Sequence, residues 1–139
     1  MTELPILVVD DEEEFVSTLV QRLRKRGWAG EGVLSGSAAV ARVAANDFAV
    51  ILLDMRLPDM DGGQVLREIK KIRPQSRVVI LTGHASASEG EEGIKNGAFD
   101  YLLKPVEFET LLEKLQAARD RGPQEHSRTL QPRGTEVLY

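Results

Sequence analysis

Ala49-Val50-Ile51-Leu52-Leu53-Asp54-Met55-Arg56-Leu57-Pro58-Asp59-Met60-Asp61-Gly62 is the stretch whose reading decides the fold. An apolar run leads straight into a carboxylate, and a loop marked by Pro58 and Gly62 follows. A continuous apolar run closed by turn residues reads as a strand buried on both faces, the mark of a parallel sheet covered by helices. Asp54 then sits just past the carboxyl end of that strand. Ligands of open α/β sheets bind along that rim. Asp54 is therefore a candidate reactive carboxylate, an acceptor for a phosphoryl group.

The same pattern repeats on either side. Leu4 to Val9 is a second apolar run, ending in Asp10-Asp11-Glu12. Phe15, Val16, Leu19, Val20 and Leu23 then recur at helical spacing, and Gly27 closes that helix. Trp28 to Val33 reads as a strand weakened by Gly30 and Gly32, which places it at a sheet edge. Ser35 offers cap chemistry for an Ala/Val-rich helix running to about Asn46. Gly62 to Ile72 forms a third helix, with Val65, Leu66, Ile69 and Ile72 on one stripe, and Pro74 ends it.

Val78 to Leu81 is another wholly apolar strand, followed by Thr82-Gly83-His84. A helix over 86–96 contains Gly90 and Gly93, each costing about 1 kcal/mol relative to Ala, which predicts a short or mobile element. Asp100 to Leu103 is the fifth strand and ends at Lys104-Pro105. Phe108, Leu111, Leu112, Leu115 and Ala118 stripe a last helix. Five strands alternating with five helices imply βαβ crossovers, a mainly parallel sheet and helices on both faces. From Arg121 the chain turns polar and rich in Gly and Pro, which reads as a flexible tail or the start of a linker over 121–139, after a domain over 1–120.

Composition narrows the function. The chain has 139 residues, enough for one domain, with 42% hydrophobic and 29% charged residues. A net charge of −4 gives no general basic field for nucleic acid. Without cysteine there is no disulfide framework, thiolate zinc site or Cys nucleophile, which fits a reducing cytoplasm. No apolar run reaches the roughly 20 residues of a membrane helix, and the first residues lack a signal-peptide pattern.

Side chains able to do chemistry fall at equivalent places. Asp10 and Asp11 follow the first strand, Asp54 the third, Thr82 the fourth and Lys104 the fifth. In a parallel sheet these positions share one rim, with neighbouring strands about 4.8 Å apart. Three carboxylates there raise one another's pKa, and a hard divalent cation such as Mg²⁺ relieves the repulsion. Lys104 adds a point charge suited to a phosphate oxygen, and Thr82 a hydroxyl. Phosphoryl transfer requires mainly positioning, a metal and charge neutralisation, and a carboxylate nucleophile yields an aspartyl phosphate. Plainer readings exist for each residue alone. Asp10 and Asp11 could cap the first helix. Asp54 could be a solvated loop acid, Thr82 a cap hydroxyl and Lys104 a surface lysine. Asp59 and Asp61 are assigned to turn and cap roles beside Pro58 and Gly62. His84 and His126 receive no metal role. The coincidence along one rim outweighs the separate readings.

These residues are similar to those of a known family. Val8-Val9-Asp10-Asp11-Glu12, Leu53-Asp54 through Gly62, Leu81-Thr82-Gly83 and Gly97 through Pro105 resemble the receiver domain of bacterial two-component response regulators. The resemblance runs from about Leu4 to Arg119. It implies a flavodoxin-like (CheY-like), doubly wound five-stranded parallel sheet of order 2-1-3-4-5 with five helices. It implies that Asp54 accepts a phosphoryl group from a phosphohistidine on a histidine kinase or histidine phosphotransfer protein. Mg²⁺ is expected on Asp11, Asp54 and the backbone carbonyl of Arg56, with Asp10 acting largely through water. Thr82 and Tyr101 look like a switch pair, the hydroxyl moving to the phosphoryl group and the ring swinging inward. Lys104 is expected to pair with a phosphoryl oxygen, after a cis Lys104-Pro105 bond. The output surface would be the last helix, the strand before it and the Gly90/Gly93 helix, serving a downstream effector or a homodimer. Arg56 and His84, two residues beyond Asp54 and Thr82, sit where the family tunes dephosphorylation. Arg56 could screen water or pair with an acid across the site.

The resemblance describes a cytoplasmic switch that catalyses its own phosphoryl transfer and slow hydrolysis, and is not an enzyme in the ordinary sense. The alternative is a receiver-like interaction module that works without phosphorylation. A haloacid-dehalogenase-type phosphatase requires a second acid where this chain has Arg56. A dinucleotide site lacks its glycine fingerprint after the first strand. The 121–139 stretch carries no helix-turn-helix, ATPase motif or catalytic domain, so direct binding to DNA or to membrane is not expected.

Overall fold

A computed structural model describes residues 4–83 and 87–121. His84, Ser86 at the expected start of the Gly90/Gly93 helix, and the expected tail beyond Arg121 lie outside the described residues.

The chain alternates strand and helix throughout: β1 Leu4–Val9, α1 Glu13–Arg24, β2 Trp28–Val33, α2 Gly36–Ala45, β3 Val50–Leu53, α3 Gly62–Ile72, β4 Val78–Thr82, α4 Ala87–Lys95, β5 Asp100–Leu103 and α5 Phe108–Arg121. All strand pairs are parallel and the order is β2-β1-β3-β4-β5, the doubly wound arrangement of the flavodoxin-like fold. β3 and β4 are buried at every position, as their unbroken apolar runs require. The glycine-bearing β2 is an edge strand. Gly30 and Gly32 lie under Val20 and Val16 of α1, leaving no room for a side chain at Gly32 without moving Val16.

The two-residue strand period divides the core. Ile6, Val8, Leu52, Val79 and Leu81 face one side, against Val16, Leu19, Val20 and Leu23 of α1 and Leu111, Leu112 and Leu115 of α5. Leu7, Val9, Ile51, Leu53, Val78 and Ile80 face the other, against Val43 of α2 and Val65, Leu66 and Ile69 of α3. Ile72 departs from its expected stripe: it is 39% exposed, because the last turn of α3 runs past the edge of this packed face. Gly27 (φ 93°) and Gly97 (φ 109°) end the α1 and α4 turns in the left-handed region that favours glycine.

These elements aim the carboxyl ends of β1, β3, β4 and β5 at one rim. A cavity of about 570 Å³, bounded by Pro5, Phe48, Ile72 and Arg77, opens at the amino-terminal end of the strands and shares no residue with that rim. Among the described residues, no helix is long and apolar enough to cross a membrane.

Candidate functional site

Register places the acids side by side. Val9 of β1 pairs with Leu53 of β3, so Asp10 and Asp54 leave the sheet together. The Asp54 N–H donates to the Val9 carbonyl at 2.9 Å, extending the ladder by one residue and fixing where that side chain starts. Asp10, Asp11 and Asp54 each present a carboxylate oxygen, all within 4.8 Å of one another. Asp10 and Asp54 are buried, and Asp11 is exposed.

Lys104 reaches the same point from β5. Thr82 pairs with Leu103, and the Lys104 N–H donates to the Thr82 carbonyl at 2.7 Å. The Lys104 bond to Pro105 is cis. The Lys104 ammonium lies 2.6 Å from Asp10 Oδ2, 3.1 Å from Glu12 Oε1 and 3.9 Å from Asp54 Oδ2. Burial by itself would lower its pKa, but hydrogen bonds to Asp10 and Glu12 raise it above the ordinary lysine value.

Asp54 is pushed up to about 6. Burial is the main cause, and the nearby Asp10 and Asp11 charges add to it. The Arg56 N–H, which donates to Asp54 Oδ1 at 3.2 Å, and the Lys104 charge act the other way. One ammonium does not neutralise this group of acids. The donors are all hard oxygens, the set that suits Mg²⁺ or Ca²⁺.

The loop after Asp54 is held from three directions. The Gly62 N–H donates to the Met55 carbonyl at 3.0 Å, and a methyl at Gly62 would overlap the Met55 backbone. Asp61 caps α3, accepting from the Gly63 N–H at 3.1 Å. Asp59 caps a different helix. Its two oxygens accept from Gly36 N–H at 2.8 Å and Ser37 N–H at 2.9 Å, at the start of α2. These bonds hold the Asp59 carboxyl below the usual carboxylate range. The Arg56 side chain points to α4 and pairs with Glu89 at 3.7 Å, an acid on another element.

The capping reading of Asp10 and Asp11 does not hold. Glu12 is the N-cap residue of α1 and makes no side-chain cap bond. Asp10 Oδ1 instead accepts from the Glu12 N–H at 2.9 Å, leaving Oδ2 for Lys104. Thr82 is fully buried at the end of β4. Tyr101, half-buried on β5, lies against Gly90 of α4. Glu12 and Phe15 were not legible as members of the site. Glu12 binds Lys104, and Lys104 Nζ lies 4.5 Å from the centroid of the Phe15 ring. The only prior signal for Glu12 was its place directly after two acids at a strand end.

Buried acids, an ammonium and a backbone-pinned loop can hold a hard cation and present one carboxylate oxygen to an electrophile. The chain as a whole is similar to known proteins. Residues 6–116 match the family described as response regulator receiver domain. The transcriptional regulatory protein ZraR of Salmonella typhimurium is 38% identical over 116 residues, 84% of this chain and 26% of the relative. The chain thus spans about a quarter of that relative, and about half of the regulator CutR of Streptomyces coelicolor (52%). A CheY-like receiver domain from Methanospirillum hungatei superposes with a TM-score of 0.82 at 30% identity, covering 92% of this chain and 99% of the other. A Burkholderia pseudomallei response regulator, solved with a phosphorylated aspartic acid and a calcium ion, gives 0.77 at 30% identity over 94% of this chain and 76% of the other. The chain belongs to the receiver domain family of two-component response regulators.

Proposed function

We propose that this chain is a phosphorylation switch in which Asp54 accepts a phosphoryl group from a phosphohistidine of a histidine kinase or histidine phosphotransfer protein. The observation that carries this reading is the clustering of Asp10, Asp11 and Asp54 within 4.8 Å, with the Lys104 ammonium beside Asp10 and Asp54. The phosphorylated aspartate and calcium ion of the Burkholderia protein support it by kinship.

Asp11, Asp54 and the Arg56 backbone carbonyl would hold Mg²⁺, with Asp10 reaching it largely through water. When bound, the cation neutralises charge on the acids and on the incoming phosphoryl oxygens. An Asp54 oxygen attacks phosphorus. The P–N bond to the partner histidine breaks, and the imidazole nitrogen keeps the bonding pair and takes up a proton. Lys104 leaves Asp10 for a phosphoryl oxygen and offsets the new charge. The Thr82 hydroxyl donates to another phosphoryl oxygen, and the Tyr101 ring turns inward behind it. The change is read at the α4-β5-α5 face by an effector domain or protein, or by a second copy of the chain. Slow hydrolysis of the acyl phosphate resets the switch in the cytoplasm.

Acetyl phosphate with Mg²⁺ tests the reading. Wild type gains one phosphoryl group in its intact mass, EDTA suppresses the gain, and Asp54→Ala shows none. A wild-type chain that stays unmodified, and that is equally unmodified by a panel of phosphorylated kinases, would favour the phosphorylation-independent module instead.

A further inference from the structure

Transfer to Asp54 requires Lys104 to exchange partners, yet Asp10 and Glu12 hold it away from the phosphoryl group. Asp10 holds it at 2.6 Å and Glu12 at 3.1 Å, while Asp54 is at 3.9 Å. Lys104 also meets the face of an aromatic ring. Lys104 Nζ stands 4.5 Å from the Phe15 centroid. Phe15 belongs to the first turn of α1 and is half-buried against the core that Leu19 and Leu111 help form. It lines a small interior gap together with Asp10, Leu52, Asp54 and Leu81. Its outer side borders a groove of about 190 Å³ shared with Leu19, Val106 and Phe108. The ring therefore packs against the core and stands between the phosphosite and that groove.

We infer that Phe15 is a positioning residue, whose ring face keeps the Lys104 ammonium beside Asp54 while its anionic partners change. This inference rests on the proposed role of Asp54 and Lys104. A ring face attracts a cation through its quadrupole, without a fixed acceptor direction. It therefore does not compete for any one N–H of the ammonium. Leucine at the same place would fill much of the volume and exert no such pull. Phe15 would thus act through Lys104 and touch no reacting atom.

The test separates the ring's charge distribution from its bulk. Pentafluorophenylalanine placed at position 15 keeps the shape and inverts the quadrupole. Phe15→Leu removes the ring, and Phe15→Trp keeps an electron-rich face. Two readouts are taken on the whole chain: the initial rate of Asp54 labelling by acetyl phosphate with Mg²⁺, and the ¹H–¹³C resonance of the Lys104 ε-methylene. The fluorinated variant is expected to be slowed about two- to fivefold, the range of an exposed to partly desolvated cation–π contact. Its Lys104 resonance should lose the upfield displacement a methylene shows over a ring, while Phe15→Trp retains both properties. A fluorinated variant with the wild-type rate and resonance would overturn the inference and reduce Phe15 to packing. Failure of wild type itself to label would defeat the reading of Asp54, and the resonance would still report on the ring contact.

Discussion

Lys104 Nζ stands 3.9 Å from Asp54 Oδ2, within ion-pair range but outside hydrogen-bond range. Its hydrogen bonds go to Asp10 and Glu12. The site is thus poised with its cation beside the acceptor carboxylate and committed elsewhere. An unpaired charge in a buried site is costly. Part of that cost falls on Asp54, which among the described residues receives one backbone N–H, from Arg56, and has the ammonium at 3.9 Å.

Removing the ammonium should expose that cost. Lys104→Met strips buried Asp10 of its partner and is expected to destabilise the metal-free protein by about 2–4 kcal/mol, the scale for breaking a largely buried pair. Mg²⁺ should recover part of the loss by supplying positive charge in the same place. Urea melts in EDTA and in Mg²⁺ measure both. A variant as stable as wild type in EDTA would mean the pair contributes nothing net.

Asp54 predicts a pH dependence of definite sign. Its folded carboxyl titrates near about 6 against an ordinary 3.8, so the folded state holds this proton more tightly than the unfolded one. That favourable contribution is complete below about 3.8 and is lost as pH rises through about 6. Asp54→Asn carries no such group. In EDTA it should therefore gain on wild type as pH rises from about 4 to about 7, by up to about 3 kcal/mol. Paired melts across that window check it, and a flat difference would contradict the burial account.

Asp59 should act at a distance. It joins the loop after Asp54 to the first turn of α2 through the Gly36 and Ser37 amides. Asp59→Ala frees both donors and should accelerate their hydrogen exchange. It should also weaken Mg²⁺ binding, because the same loop carries the Arg56 carbonyl. Amide exchange and calorimetric titration with Mg²⁺ read the two effects. Unchanged exchange at Gly36 and Ser37 would show that the clamp does not hold in solution.

Gly90 tests the switch surface. A methyl there would overlap the Tyr101 ring, although Ala improves helix propensity by about 1 kcal/mol. Gly90→Ala is expected to drive the half-exposed ring outward, leaving acetyl phosphate labelling intact and weakening the phosphorylation-dependent response of α4 and β5. Tyr101 ring resonances with and without phosphorylation report the outcome. A normal response in Gly90→Ala would remove Tyr101 from the switch.

The strands and the rim were legible because apolar runs and parallel crossovers are local or topological signals, while the full strand order came from the family resemblance. β1, β3 and β4 announced themselves as buried, and the glycines of β2 marked it as an edge. The partners of side chains were not legible in the same way. Asp59 looked like a turn acid, but the N–H donors it accepts from lie on α2, the first of them 23 residues away. Gly90 and Gly93 looked like helix weaknesses, whereas they admit Tyr101 and Ile80 against α4. Ile72 fitted the α3 stripe by period, yet the stripe outlasts the surface it covers. Glu12 sat at a helix start, but Lys104, 92 residues away, binds it. Each miss turns on whether another segment of the chain meets the residue, which spacing along one element does not encode.

The central claim is that the sheet rim makes Asp54 the phosphoacceptor. The most direct measurement is borohydride trapping of the acyl phosphate after treatment with acetyl phosphate and Mg²⁺, followed by peptide mapping. The account predicts reduction at position 54, dependent on Mg²⁺. A trapped residue elsewhere, or none in a chain that binds Mg²⁺, would contradict it.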